Sequence, residues 1–182
     1  MPSDIAKFVE KVREKYDQGN ELLRIYYYDC QPSDAQTVLP VSKAPLSYKN
    51  SPLYRDRMQF LAALKRADFV AVREGRLYFR GWTLKDEKNP PAGPLTDADY
   101  VPDFEQKGVD IKIGLDIAWI GLGKIAERIY LVTGDSDFIA AMKFARRSGV
   151  QVFLFTFAHG VVNELKDHAD VLDERPIKDV LA

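Results

Sequence analysis

The chain has 182 residues and is 46% apolar, which suits one domain with a substantial core. Its 26 basic and 27 acidic residues nearly cancel, so no global field draws it to nucleic acid or a membrane, and any such binding needs a local patch. The single Cys30 excludes an intrachain disulfide and a cysteine-rich zinc site, and two histidines, His159 and His168, argue against a histidine-built zinc hydrolase.

Asp4 to Tyr16 places Ile5, Phe8, Val9 and Val12 at helical spacing, with Gly19-Asn20 as the stop. Leu22–Tyr28 is β-prone and reads as a buried strand ending at Asp29. Cys30 to Asn50, with its prolines, reads as loop. Pro52 to Arg66 reads as a helix with proline in its first turn. Asp68 to Arg80 suggests two short strands around Glu74-Gly75, a hairpin. Leu84 to Asp103 reads as a long mobile loop. Val109 to Leu122 is ambiguous. Val109, Ile111, Ile113, Leu115 and Ile117 alternate as a strand would, while Ile113, Ile117 and Ile120 share a helical face; periodicity favours strand slightly.

Ile129–Val132 is an apolar run that meets Thr133-Gly134-Asp135-Ser136-Asp137. An amphipathic helix pattern over Phe138 to Arg147, then Gly149 and the run Val150–Phe157, complete a strand, acidic turn, helix and strand. A C-terminal helix follows. Strands alternating with helices predict a parallel sheet within a single α/β domain, residues 1–182. Chemistry in such sheets sits at the carboxyl ends of strands. Two carboxylates spaced i, i+2 there can share a divalent cation, since hard cations prefer oxygen ligands. The plainer alternative is that one of these acids caps the helix, since Asp and Ser are favoured N-caps, although a cap needs only one polar residue of the three.

KGVDIKIGLDIAWIG, followed closely by VTGDSDFIAAMKFARRSGVQV, resembles the NYN domain, the LabA-like group of the PIN-like nucleases. The pairing of the two motifs is specific, whereas either half alone is weak. Fainter likeness covers most of the chain, through the IYYYD strand, the RMQFLAAL helix and the closing ELKDHADVL. The resemblance implies a Rossmann-like three-layer sandwich with a mainly parallel sheet, and it makes the KGVD segment a helix. It implies metal-dependent hydrolysis of RNA phosphodiester bonds, with Mg²⁺ or Mn²⁺ held by clustered acids. Carried over by motif position, those acids are Asp110, Asp116, Asp135 and Asp137. Six residues of helix turn through about 240° beyond one full turn, so Asp110 and Asp116 do not share a face. Asp110, at the helix start, is the better metal ligand beside Asp135 and Asp137. Without the family, the same two residues read as a helix N-terminal acid and a solvated acid.

Members of the family usually begin with an apolar strand ending D-G-x-N, whose Asp is the first metal ligand. This sequence opens at Met1-Pro2-Ser3-Asp4, already in the following helix, and Asp4 reads as that helix's N-cap. The first family strand is therefore expected to be missing from these residues, and the metal site to be short of one carboxylate. A non-catalytic RNA-binding or protein-interaction module on the same fold is the competing reading. Asp135-x-Asp137 also prompts a haloacid-dehalogenase-like phosphatase, but that group carries its motif near the N-terminus with Thr or Val where this chain has Ile139.

For substrate, Arg55, Arg57, Lys65, Arg66, Arg73, Arg76 and Arg80 interleave with Tyr54, Phe69, Tyr78, Phe79 and Trp82. Arginine beside exposed aromatics suits single-stranded RNA, through phosphate contacts and stacking; a solvated surface over core aromatics is the alternative. Arg55, Arg73, Arg76 and Arg80, with Thr133 and Ser136 at the acidic turn, are the candidate substrate contacts. Asp29 could line the same cleft, and His159 reads as a loop or capping residue. With no leader or long apolar span, a cytoplasmic protein without a membrane partner is expected. An exposed sheet position left by a missing strand would allow homo-oligomers.

Overall fold

The structure, a computed structural model, describes residues 2–182. Among them no helix is long and apolar enough to cross a membrane. The chain divides into two compact units, one made of residues up to Ile25 with Asp110–Ala182 and the other of Tyr26–Val109.

In the first unit, β6 (Arg128–Val132), β7 (Gln151–Phe155) and β8 (Val171–Asp173) form a parallel sheet in that order, with β7 central. Strand periodicity gives β7 two apolar faces. Val152 and Leu154 are buried with Ile117 of α3 (Val109–Gly123), Met142 and Ala145 of α4 (Ile139–Arg147) and Leu165 of α5 (Asn163–Asp167). Phe153 and Phe155 point the other way, onto Val12 and Phe8 of α1 (Pro2–Tyr16). Helices thus cover both faces of the sheet, as a strand with no polar side requires.

Two polar contacts fix the end of α1. The Tyr16 hydroxyl donates to Asp173 Oδ2 at 2.8 Å, and Arg128 Nη1 donates to Asp17 Oδ1 at 3.1 Å. Arg175 also clamps Asp173 through Nε and Nη2, at 3.0 and 2.7 Å, and through its backbone N–H. Burial pushes the Asp173 carboxyl up, but the hydrogen bonds from Arg175 and Tyr16 outweigh it and hold the group well below the usual carboxylate range.

In the second unit β1 (Ile25–Cys30), β4 (Val70–Leu84) and β5 (Tyr100–Lys107) form a sheet in the order β1-β4-β5, with β4 and β5 antiparallel. β2 (Gln36–Val38) and β3 (Pro45–Ser47) form a small antiparallel ribbon. α2 (Pro52–Lys65) begins at Ser51, whose side chain accepts from the Tyr54 N–H at 3.1 Å. Tyr48, Phe79, Trp82 and Phe104 pack mainly edge to face.

Several expectations need correction. Leu22–Tyr28 does not share a sheet with 128–133, because β1 pairs with β4. Its side chains are mostly half-buried, whereas the middle of a parallel sheet demands burial on both faces. A mainly parallel sheet therefore describes β6-β7-β8 and not the whole chain. Asp68 to Arg80 is no hairpin; β4 runs unbroken through Glu74-Gly75 and turns back only at β5. The 84–103 loop is shorter than expected, since β5 starts at Tyr100. Asp4 lies in the first turn of α1, which already begins at Pro2, and is not its cap. Val109–Gly123 is a helix, against the slight preference of its alternation and in line with the family resemblance. The C-terminal helix is two short ones, α5 and α6 (Ile177–Val180), on either side of β8.

Gly75 explains the false hairpin. A Cβ there would lie 2.6 Å from Val109 Cγ2, 2.7 Å from the Lys107 carbonyl oxygen and 2.8 Å from Cys30 Sγ. The residue permits close approach inside a strand and makes no turn. Gly75→Ala should lower stability by roughly 2 kcal/mol or more, because the carbonyl cannot move aside; urea unfolding checks this. Asp173→Asn should cost about 2 kcal/mol near neutral pH. Because the folded pKa is depressed, this advantage of the wild type holds above the ordinary carboxylate value of about 4 and fades as pH falls below it. Unfolding midpoints measured down an acid series test both statements.

Candidate functional site

The acidic turn is built by β6 and finished by its own side chains. The Thr133 N–H still donates to the Phe155 carbonyl at 3.2 Å, which carries the ladder one residue past β6. The chain then leaves the sheet. Thr133 Oγ1 accepts from the Asp135 N–H at 3.1 Å, and Asp135 Oδ1 accepts from the Asp137 N–H at 2.9 Å. Asp135 thereby caps a 3-10 turn, Ser136–Phe138, that runs into α4. Phe138 is buried beneath, while Asp135, Ser136 and Asp137 face solvent. Asp135 does the capping, and its neighbours Ser136 and Asp137 stay open to solvent.

A second segment stands against this turn. A Cβ on Gly134 would lie 3.3 Å from Val161 Cγ1, so the loop after β7 leaves little room there. That loop holds two consecutive residues in the left-handed region, Phe157 at φ 51° and Ala158 at φ 63°. Non-glycine residues pay for such a conformation, and strain of this kind collects near functional sites. The Thr156 hydroxyl is buried with no hydrogen-bond partner at the same strand end, and His159 is exposed. Sequence reading missed this wall; the His159-Gly160 pair after a buried strand was its one visible signal.

Asp110 is exposed in the first turn of α3, and Asp116 is half-buried further along. Among the described residues no group of three or more His, Cys, Asp or Glu could hold a metal ion. The expected convergence of Asp110, Asp135 and Asp137 is therefore not met. One reason is local: Asp135 commits an oxygen to its own turn, which draws the carboxylate back over the backbone. Asp135 and Asp137 still offer hard oxygen donors to solvent. That donor set fits a water-rich ion held by one or two carboxylates, as Mg²⁺ is, and does not fit a closed protein cage.

The other predicted residues belong to the second unit. Arg57 pairs with Asp29 at 2.9 Å, Lys65 with Glu74 at 2.6 Å, and Arg80 approaches Asp103 and Glu105 at 3.7 and 3.8 Å. Arg73 lies over the Tyr26 ring. Arg55, Arg66 and Arg76 are exposed and carry no ion pair among the described residues. Of the interleaved aromatics, Phe79 and Trp82 pack internally, whereas Phe69 and Tyr78 are exposed. The basic stretch is thus partly compensated, with Arg57, Lys65 and Arg80 paired to acids. Asp29, paired with Arg57, is spoken for.

The sequence profile of the NYN domain matches residues 2–173. No functionally curated protein matches the chain. Among solved structures, the chain is similar to a protein of unknown function, VPA0982, from Vibrio parahaemolyticus RIMD 2210633. The two are 19% identical, with 97% of this chain and 90% of that one covered, at a TM-score of 0.47.

The capping bond and the exposed donors can be separated by substitution. Asp135→Ala should cost about 1 kcal/mol of stability, while Asp135→Asn, which keeps the acceptor oxygen, should cost little. Thermal unfolding of the two variants side by side is the measurement.

Proposed function

The chain belongs to the NYN-domain family, and we propose that it is a metal-dependent, ribonuclease-type domain of the LabA-like group, acting on single-stranded RNA at the acidic turn. One observation carries this reading. The strand β6 delivers Asp135, Ser136 and Asp137 to solvent at its carboxyl end, directly above a fully apolar core. Nothing in folding requires three polar side chains there, since Asp135 alone completes the cap.

Asp137, with the oxygen of Asp135 not engaged in the cap, would hold Mg²⁺ or Mn²⁺. When bound, such an ion neutralises charge on a phosphodiester and lowers the pKa of a bound water. The chain's own contributions are positional. Asp135 fixes the turn, so Asp137 is held to one side of it. The Ser136 hydroxyl makes no side-chain hydrogen bond among the described residues and is placed to donate to a phosphate oxygen. Thr133 is a supporting residue, because its hydroxyl already accepts from the Asp135 N–H. Taken by itself, the second unit would contact RNA through Arg55 and Arg76 for phosphates and Tyr78 for stacking, and Arg73 and Arg80 would contribute less because their guanidinium groups are already engaged.

Among the described residues no third carboxylate joins Asp135 and Asp137, which favours a second reading, an RNA-binding or interaction module without catalysis. Two measurements separate them. Mn²⁺ binding followed by electron paramagnetic resonance should be lost in Asp135→Asn/Asp137→Asn. Mg²⁺-dependent cleavage of single-stranded RNA should fall at least a hundredfold in Asp137→Asn, about 3 kcal/mol of transition-state stabilisation. RNA binding without metal binding or cleavage would establish the second reading, and absence of all three would sink both. Arg76→Ala should weaken RNA binding and reduce its salt dependence by about one phosphate contact.

A further inference from the structure

α3 is apolar on two sides, and only one of them is used within its own unit. Ile117 and Ile120 are buried and Ile113 packs beside them. On the other side Ile111, Leu115, Trp119 and Leu122 are 63, 61, 55 and 73% exposed. At 100° per residue these four fall within an arc of about 80°, opposite the three isoleucines. Phe144 of α4, also exposed, widens the patch; its ring lies 3.6 Å from a Cβ built on Gly121. The four side chains expose on the order of 500 Å² of apolar surface, at the upper end of what a monomer shows in one patch. A helix apolar all round belongs in an interior.

We propose that a second copy of this chain covers the stripe, with α3 packed antiparallel on its twin about a two-fold axis. The stripe is complementary to itself in that arrangement. Ile111 meets Leu122 of the partner subunit, and Leu115 meets Trp119 of the partner subunit. Gly114 and Ala118 lie along one edge of the stripe and allow the axes to approach to about 8 Å.

The dipoles of the two helices are opposed in the favourable sense. Such an isologous interface is the commonest way for a chain to associate with itself. The stripe supplies more than half of the roughly 800 Å² per partner that a stable interface needs, and Phe144 with the helix flanks supplies more.

Sedimentation velocity and light scattering across the micromolar range test this. The wild type should form a dimer, and Trp119→Glu should raise its dissociation constant at least tenfold with an unchanged circular dichroism spectrum. Leu122→Gln, at the most exposed position, should act in the same direction if Trp119→Glu fails to fold. A monomer at every concentration, or a dimer indifferent to both stripe substitutions, would overturn the proposal. The first of these would leave the stripe to another partner, and the second would put the interface on another face.

Discussion

The burial of β7 on both faces is the constraint on which the first unit depends. Val152 and Leu154 require cover on one side, Phe153 and Phe155 on the other. A strand so placed cannot lie at an edge, so β6 and β8 flank it, and parallel neighbours demand crossovers that lay helices over the sheet. α1 covers the phenylalanine face, and α3, α4 and α5 contribute to the other. The polar clamp on Asp173 and the Arg128–Asp17 pair then fix where α1 ends.

The acidic turn inherits its position from that strand. Register between β6 and β7 is set residue by residue from Arg128 opposite Gln151 to Val132 opposite Phe155. The Thr133 N–H extends the pairing by one bond, and Phe138 re-enters the core four residues after Gly134. Between those anchors the backbone has little freedom, so the side chains of Asp135, Ser136 and Asp137 turn outward. Polar groups held at a rigid strand end are preorganised, as the proposed phosphate chemistry would require. The strained Phe157–Ala158 pair beside it is the second departure from relaxed geometry at the same strand end.

α3 links the core to the surface in a different way. Its inner isoleucines are ordinary packing, and its outer stripe is not, because large aliphatic and aromatic side chains in water contribute nothing to the stability of a lone unit. The second unit is more conventional. Its long β4–β5 ladder carries the packed aromatics Phe79 and Phe104, and Arg57, Lys65, Arg80 and Lys107 of the unit pair with acids.

Local pattern was enough for the elements whose signal is carried by a few adjacent residues. The strand–turn–helix–strand from Ile129 to Phe155 was legible because apolar runs, a capping Asp and Gly149 follow one another in order. So was α2, from Pro52 behind a capping Ser51. The pairing of two motifs also carried the family. Tertiary structure alone decided the rest. Gly75 looks like a turn residue until the Lys107 carbonyl and Cys30 are seen against it. The alternation from Val109 to Ile117 looks like a strand because both faces of α3 are apolar. The partner of β1 depends on which strands are buried from both sides, and no single segment encodes that. Whether acids far apart in sequence share an ion depends on side-chain direction, and at Asp135 a hydrogen bond to the next turn takes up one of the oxygens. Sequence determines what each segment is able to do, because propensity and capping are local; the fold decides which neighbours it meets, because burial is collective.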